Sequence, residues 1–124
     1  PASSYCEPTG SKPATWHWHA LLPPEERPLF AFPGIWKDRT GPIKKGGEEV
    51  TQRVFSFMTC GPNDLPTPAH HGRMPVLLNT EEQFETWLHG SEQEALSLAN
   101  PFPASGMGIV QSGADRRGMV AATS

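Results

Sequence analysis

The sequence predicts an α+β domain, on three observations. Short alternating or apolar stretches come first, at residues 15–22, 29–36, 50–59 and 76–78. Two capped helical patterns follow, at residues 80–90 and 91–99. The 14 prolines are spread along the 124 residues, so they punctuate short elements and loops instead of marking one long tail. Strands grouped ahead of helices, without alternation between them, indicate α+β. The length allows one domain with one core, although a hydrophobic content of 36% is low for a compact globule.

Residues 1–13 are rich in Ser, Gly and Pro and read as turns. Residues 15–22 alternate, with Trp16, Trp18 and Ala20 on one face and His17 and His19 on the other. The tryptophan face is expected to be buried and the histidine face exposed. Residues 23–28 form a turn, and 29–32 a second strand antiparallel to the first. Pro33-Gly34 interrupts that strand before Ile35-Trp36 resumes it, which predicts a bulge or an edge. Residues 37–49 are polar and glycine-containing and read as an exposed connection. Residues 50–59 are the longest strand candidate. Pro62, Pro66 and Pro68 exclude a helix from residues 60–72. Thr80 and Ser91 each open a capping box, and Gly90 ends the first helix. Residues 103–124 are small and polar apart from Ile109-Val110, and a poorly ordered tail is expected there.

Composition narrows the function classes. A net charge of −3 does not by itself point to nucleic acid. No apolar run approaches the ~18 residues of a membrane span, and no secretory signal pattern is present. Two cysteines, Cys6 and Cys60, are too few for a disulfide framework. A reducing compartment, and hence the cytoplasm, is the expectation. The chain starts at Pro1, so it reads as processed or as a piece of something longer.

The chemistry-bearing stretch is His70-His71-Gly72-Arg73-Met74-Pro75. In extended backbone His71 and Arg73 point to the same side, a proton carrier beside a permanent cation. A loop histidine followed by a surface arginine is the plainer explanation. Glu7, taken alone, reads as a solvated loop carboxylate. His17 with His19, or His70 with His71, lacks a third metal ligand nearby, so no metal is expected. Cys60 is a small buried apolar residue unless it meets an imidazole. Asn63-Asp64 reads first as turn chemistry.

Taken in order, four blocks resemble the SRAP family, the SOS response-associated peptidases. Pro1-Ala2-Ser3-Ser4-Tyr5-Cys6-Glu7 is similar to the family's Pro-Ala-x-Gly-aromatic-x-Glu block. Phe30 to Trp36 resembles its Phe-Ala-Gly-Leu-Trp strand. Phe55 to Thr59, with Asn63, resembles its Thr-Thr-x-Ala-Asn stretch, and His71-Gly72-Arg73-Met74-Pro75-Val76 its His-Asp-Arg-Met-Pro-Val block. The resemblance spans about residues 1–90. It implies a curved, barrel-like, mostly antiparallel sheet with a few short helices.

The implied function is recognition of abasic sites in single-stranded DNA. An N-terminal cysteine forms a thiazolidine with the sugar aldehyde after removal of the initiator methionine. Glu7 and His71 take the catalytic positions, and Arg73, Thr59 and Pro8 the DNA-binding ones; no cofactor is implied. Glu7 and His71 are then expected to share one cleft.

The sequence departs from the family in several places. The Met-Cys-Gly start and an Asn-rich segment are absent, so this chain is expected to be the C-terminal portion of one domain. Its partner would be the missing N-terminal half, and Trp16, Trp18 and Phe30 would look under-packed. Pro8 stands where the family usually has Trp, and Gly72 where it has Asp. The loop before His71 is one residue longer, which leaves Thr59 and Cys60 both open as the family threonine. Two other function classes remain: a thiol-type peptidase acting on peptides, and a non-enzymatic interaction domain.

Overall fold

In the computed structural model, residues 1–65 and 72–114 are described. The strands are β1 (Tyr5–Pro8), β2 (Trp16–Leu21), β3 (Gly34–Pro42), β4 (Glu49–Phe57), β5 (Thr59–Cys60) and β6 (Met74–Pro75). Helices α1 (Glu81–His89) and α2 (Glu92–Leu96) come next, then a 3-10 turn (Ala104–Gly106) and β7 (Met107–Gly113). All strand pairs are antiparallel, in the sheets β1-β2-β7, β3-β4 and β5-β6. The α+β class stands. No closed barrel forms among the described residues, so the barrel-like curvature is not shown.

The core gathers Leu21, Phe30, Met74, Val76, Leu78 and Met107 with their neighbours. Residues 29–32 do not pair with 15–22 as expected. They thread through the core as two single bridges, Ala2 with Phe30 and Ala31 with Leu78. Phe30 is 1% exposed, against the expectation that it would be under-packed, and Trp16 and Trp18 are half-buried. The aromatic side chains left open lie elsewhere, with Trp36 63% and Phe55 76% exposed.

The exposed connection expected at 37–49 is instead mostly strand. β3 runs on to Pro42 and pairs along its whole length with β4. Cross-strand partners explain why so polar a stretch extends. Asp38 faces Arg53 and accepts from its Nε at 3.0 Å, and the Thr40 and Thr51 hydroxyls meet at 2.8 Å. Such pairs stabilise a ribbon without a buried face.

Both capping boxes are present. Gln83 N–H donates to Thr80 Oγ1, and Glu94 N–H to Ser91 Oγ, each at 3.2 Å. Gly90 ends α1 in extended backbone, without the left-handed turn typical of glycine caps. Glycine is needed there because a Cβ would lie 2.5 Å from the Thr86 carbonyl oxygen. Residues 107–113, expected in a loose tail, form an ordered strand instead. Its backbone completes the free edge of β2, and Met107 drops into the core. Residues 115–124 lie outside the described residues.

Candidate functional site

β1 and β2 form a hairpin in which Tyr5 faces His19 and Glu7 faces His17. Directly paired residues project to the same side, as do residues two apart on one strand. Tyr5, Glu7, His17 and His19 therefore share one face, and Cys6, Pro8, Trp16 and Trp18 the other. The expectation for this strand is met only in part: Ala20 of the tryptophan face is buried, but so is His19 of the histidine face, while Trp16, His17 and Trp18 are half-buried. His19 is drawn inward by Tyr5, a residue sequence periodicity did not assign to any strand. Its ring packs edge-on against Phe30 and Phe32, with centroids 6.3 and 6.0 Å apart, and stacks on His19 at 5.0 Å. Seating Tyr5 in the core carries His19 in with it, and His19 is 2% exposed.

Glu7 is likewise a half-buried strand carboxylate, not a solvated loop residue. It borders a cavity of about 160 Å³ together with Tyr5, His19, Asn63, Arg73 and Met107. This cavity unites residues from the first strand, the second, the loop after β5, the approach to β6 and the last strand.

Arg73 is held by Thr59. Its Nε–H donates to Thr59 Oγ1 and its Nη2–H to the Thr59 carbonyl, both at 2.8 Å. Thr59 lies on β5 opposite Pro75 of β6, so the anchor is itself part of the strand pairing, and Arg73 directly precedes it at Met74. A guanidinium has five N–H donors. Thr59 takes the Nε/Nη2 edge, and the outer Nη1/Nη2 edge is the one left to meet an anion. The local geometry thus favours Thr59 over Cys60 as the polar partner of this arginine.

Cys60 is buried, and burial pushes its thiol pKa up, with the Arg73 charge opposing. It behaves as the small core residue the sequence suggested, not as a nucleophile. Asn63 makes the turn expected of it, its Oδ1 accepting from Leu65 N–H at 3.1 Å. It also reaches across the fold, donating from Nδ2 to the Phe102 carbonyl at 2.7 Å. That bond ties the cavity wall to the lead-in of β7.

Of the residues singled out from the sequence, Glu7 and Arg73 come together at the cavity, and Thr59 supports Arg73. Pro8 ends β1 opposite Trp16, on the face turned away from Glu7, and does not line the cavity. His71 and His70 lie outside the described residues, as does the expected sharing of a cleft by Glu7 and His71. Sequence reasoning did not place Tyr5, His19 or Asn63 at the site. The available signal was the pairing of Tyr-x-Glu with His-x-His across a short turn, which puts four polar-tipped side chains on one face. Among the described residues no group of three or more His, Cys, Asp or Glu side chains gathers as a metal site.

A family model for the SOS response associated peptidase (SRAP) matches residues 1–113. The chain belongs to the SRAP family. A search of curated proteins finds no match to this SRAP chain. The family match embraces every residue lining the cavity, from Tyr5 to Met107. It also includes β7, which lies beyond the part of the sequence that first suggested the resemblance. The family is associated with the SOS response to DNA damage and has peptidase-like members. No helix among the described residues is long and apolar enough to cross a membrane.

Proposed function

We propose that this SRAP chain supplies the acid/base and phosphate-gripping part of a site that captures abasic sugars in single-stranded DNA. The observation that carries this reading is the convergence of Glu7 and the Thr59-anchored Arg73 on one small cavity. A carboxyl group beside a fixed guanidinium suits proton transfer next to a phosphodiester.

In this reading an N-terminal cysteine, which none of residues 1–124 supplies, is the nucleophile. Its neutral α-amine attacks the aldehyde carbon of the ring-opened sugar, forming a carbinolamine. Loss of that hydroxyl as water gives the imine, and addition of the thiol to the imine carbon closes the thiazolidine. The balance is one water released per crosslink, with no oxidant or reductant. Glu7 takes the proton that the amine sheds and returns one to the departing hydroxyl; His71 is proposed to assist it. Arg73 grips the phosphate beside the sugar without reading sequence. The same site would serve removal of the initiator methionine.

The proposed partners are single-stranded DNA and the N-terminal half of the same domain. Exposed apolar residues on the β3–β4 ribbon, Ile35, Trp36, Phe55 and Phe57, support a covering segment. Residence in the cytoplasm, beside the chromosome in a bacterium, belongs to the same proposal. A thiol peptidase built on this chain's own cysteines is disfavoured. Cys60 is buried, and Cys6 lies on the face of β1 opposite Glu7.

The test is incubation of the full-length gene product with a single-stranded oligonucleotide carrying one abasic site, read on denaturing gels. A crosslink that requires the aldehyde and the N-terminal cysteine is expected. A protein that has the cysteine and leaves the strand unmodified would overturn the proposal.

A further inference from the structure

His19 is the buried polar group that the mechanism above does not use. It borders the cavity shared by Glu7 and Arg73, and it is 2% exposed. Neither Nδ1 nor Nε2 has a hydrogen-bond partner among the described residues. An unpaired buried polar atom costs free energy that a phenylalanine or leucine at the same place would avoid. Stacking on Tyr5 occupies the flat face of the ring and leaves the nitrogen-bearing edge to pair with something else.

The character of that partner follows from the state of the imidazole. Burial, and then the neighbouring His17, push the His19 pKa down to about 4, so the ring is neutral at physiological pH. A neutral imidazole offers one N–H and one lone pair, and no charge. It is a poor partner for phosphate, which Arg73 serves already. A hydroxyl, which both donates and accepts, is the group that matches it.

We propose that His19 is a binding residue that hydrogen-bonds a hydroxyl of the ligand seated between Glu7 and Arg73. This inference rests on the abasic-sugar reading of the cavity. There it matches the hydroxylated, ring-opened sugar as the occupant and makes an analogue without those hydroxyls the weaker ligand. The residue contributes ligand discrimination, while the proton transfers stay with Glu7.

The experiment compares three single-stranded oligonucleotides on the full-length protein. One carries a borohydride-reduced abasic site, which keeps the open-chain hydroxyls but cannot crosslink. The second carries a tetrahydrofuran analogue, which lacks those hydroxyls. The third is the aldehyde-bearing strand, used only to score crosslinking. The wild type is expected to bind the reduced site roughly tenfold tighter than the tetrahydrofuran site, the size of one hydrogen bond.

His19→Phe, which keeps the stack on Tyr5, is expected to erase that preference and to leave tetrahydrofuran affinity within about twofold. His19→Gln, which keeps a donor and an acceptor, should retain part of it. As a readout independent of these variants folding, the imidazole nitrogen resonances of His19 in the wild type should shift with the reduced strand and not with the tetrahydrofuran strand. Equal binding of the two strands by the wild type, a preference that survives His19→Phe, or unmoved nitrogen resonances would each overturn the inference. Loss of crosslinking to the aldehyde strand by the wild type would instead overturn the proposed function, which keeps the two failures distinct.

Discussion

Arg73 is held along one edge of its guanidinium by a single residue, Thr59, through both the hydroxyl and the carbonyl of that threonine. The anchored edge orients the free edge, and this separates two contributions to DNA binding. Arg73→Ala removes a charge. It should weaken binding to single-stranded DNA of any sequence and lower the salt-dependence slope by about one unit or less. Thr59→Val removes one anchor and no charge, so affinity should fall by about two- to fivefold with the slope unchanged. Titrations at several salt concentrations measure both. A slope that changes equally in the two variants would show that Thr59 does more than hold the arginine.

Glu7→Gln keeps the size and much of the hydrogen bonding of the side chain and removes its basicity. In the full-length protein the crosslinking rate under single-turnover conditions should fall by about 10²-fold or more, the usual scale of an acid/base contribution. Binding of a tetrahydrofuran-containing strand should stay within about twofold of wild type. An unchanged crosslinking rate would remove Glu7 from the chemistry.

The buried imidazole of His19 predicts a pH dependence of stability. Its pKa is about 4 when folded and near 6.5 when unfolded. Between those values the unfolded chain binds more protons, so stability rises with pH. The contribution is flat above about pH 7, declines as pH falls from 6.5 towards 4, and totals at most about 3 kcal/mol. Tyr5 and Glu7 from β1, His17 from β2 and Arg73 face the same region, and their contributions are common to wild type and variant. The measurement is therefore the difference between wild type and His19→Phe across denaturant melts at pH 4.5 to 8. The variant should lack the decline. Parallel profiles would mean that His19 is not held neutral by the fold.

The capping box at α1 gives a test confined to the fold. Thr80→Ala removes the acceptor of the Gln83 N–H and should cost about 1 kcal/mol, seen as a melting temperature lower by a few degrees. Crosslinking should be unaffected below the transition, since α1 contributes nothing to the cavity.

These elements differ in how far the sequence announced them. Thr80-x-x-Gln83 and Ser91-x-x-Glu94 satisfy their helix ends within four residues, so the helices were legible from local chemistry. β3 was not. Its run of Lys37, Asp38, Arg39 and Thr40 reads as a polar loop until Arg53 and Thr51 stand opposite. The last strand was missed for a similar reason, because its partner is β2, at the other end of the chain. Alternation separated the two faces of residues 16–20 correctly and Ala20 is buried as expected, but nothing local marked His19 as buried too. That was decided by Tyr5, whose ring stacks on His19 and packs edge-on against Phe30. Glu7 was found only through the family resemblance, since its local sequence marks no site, whereas Arg73 already stood out in the His-x-Arg stretch at the edge of an apolar run.

The placement of β7 bears on how the molecule comes into being. The site opens at residue 5 and closes at residue 107, because Tyr5 and Met107 line the same cavity and β7 is the outer strand of the sheet that carries Glu7. On a ribosome, which releases the chain from its N-terminus, the β1–β2 hairpin emerges before β7, with the edge that β7 will occupy still open. The helices can form as they appear, since their contacts are local, whereas the cavity must wait for the most distant pairing in the chain. A nascent chain that ends before residue 107 would therefore carry Tyr5, Glu7, His19 and Arg73 without the strand that closes the cavity around them.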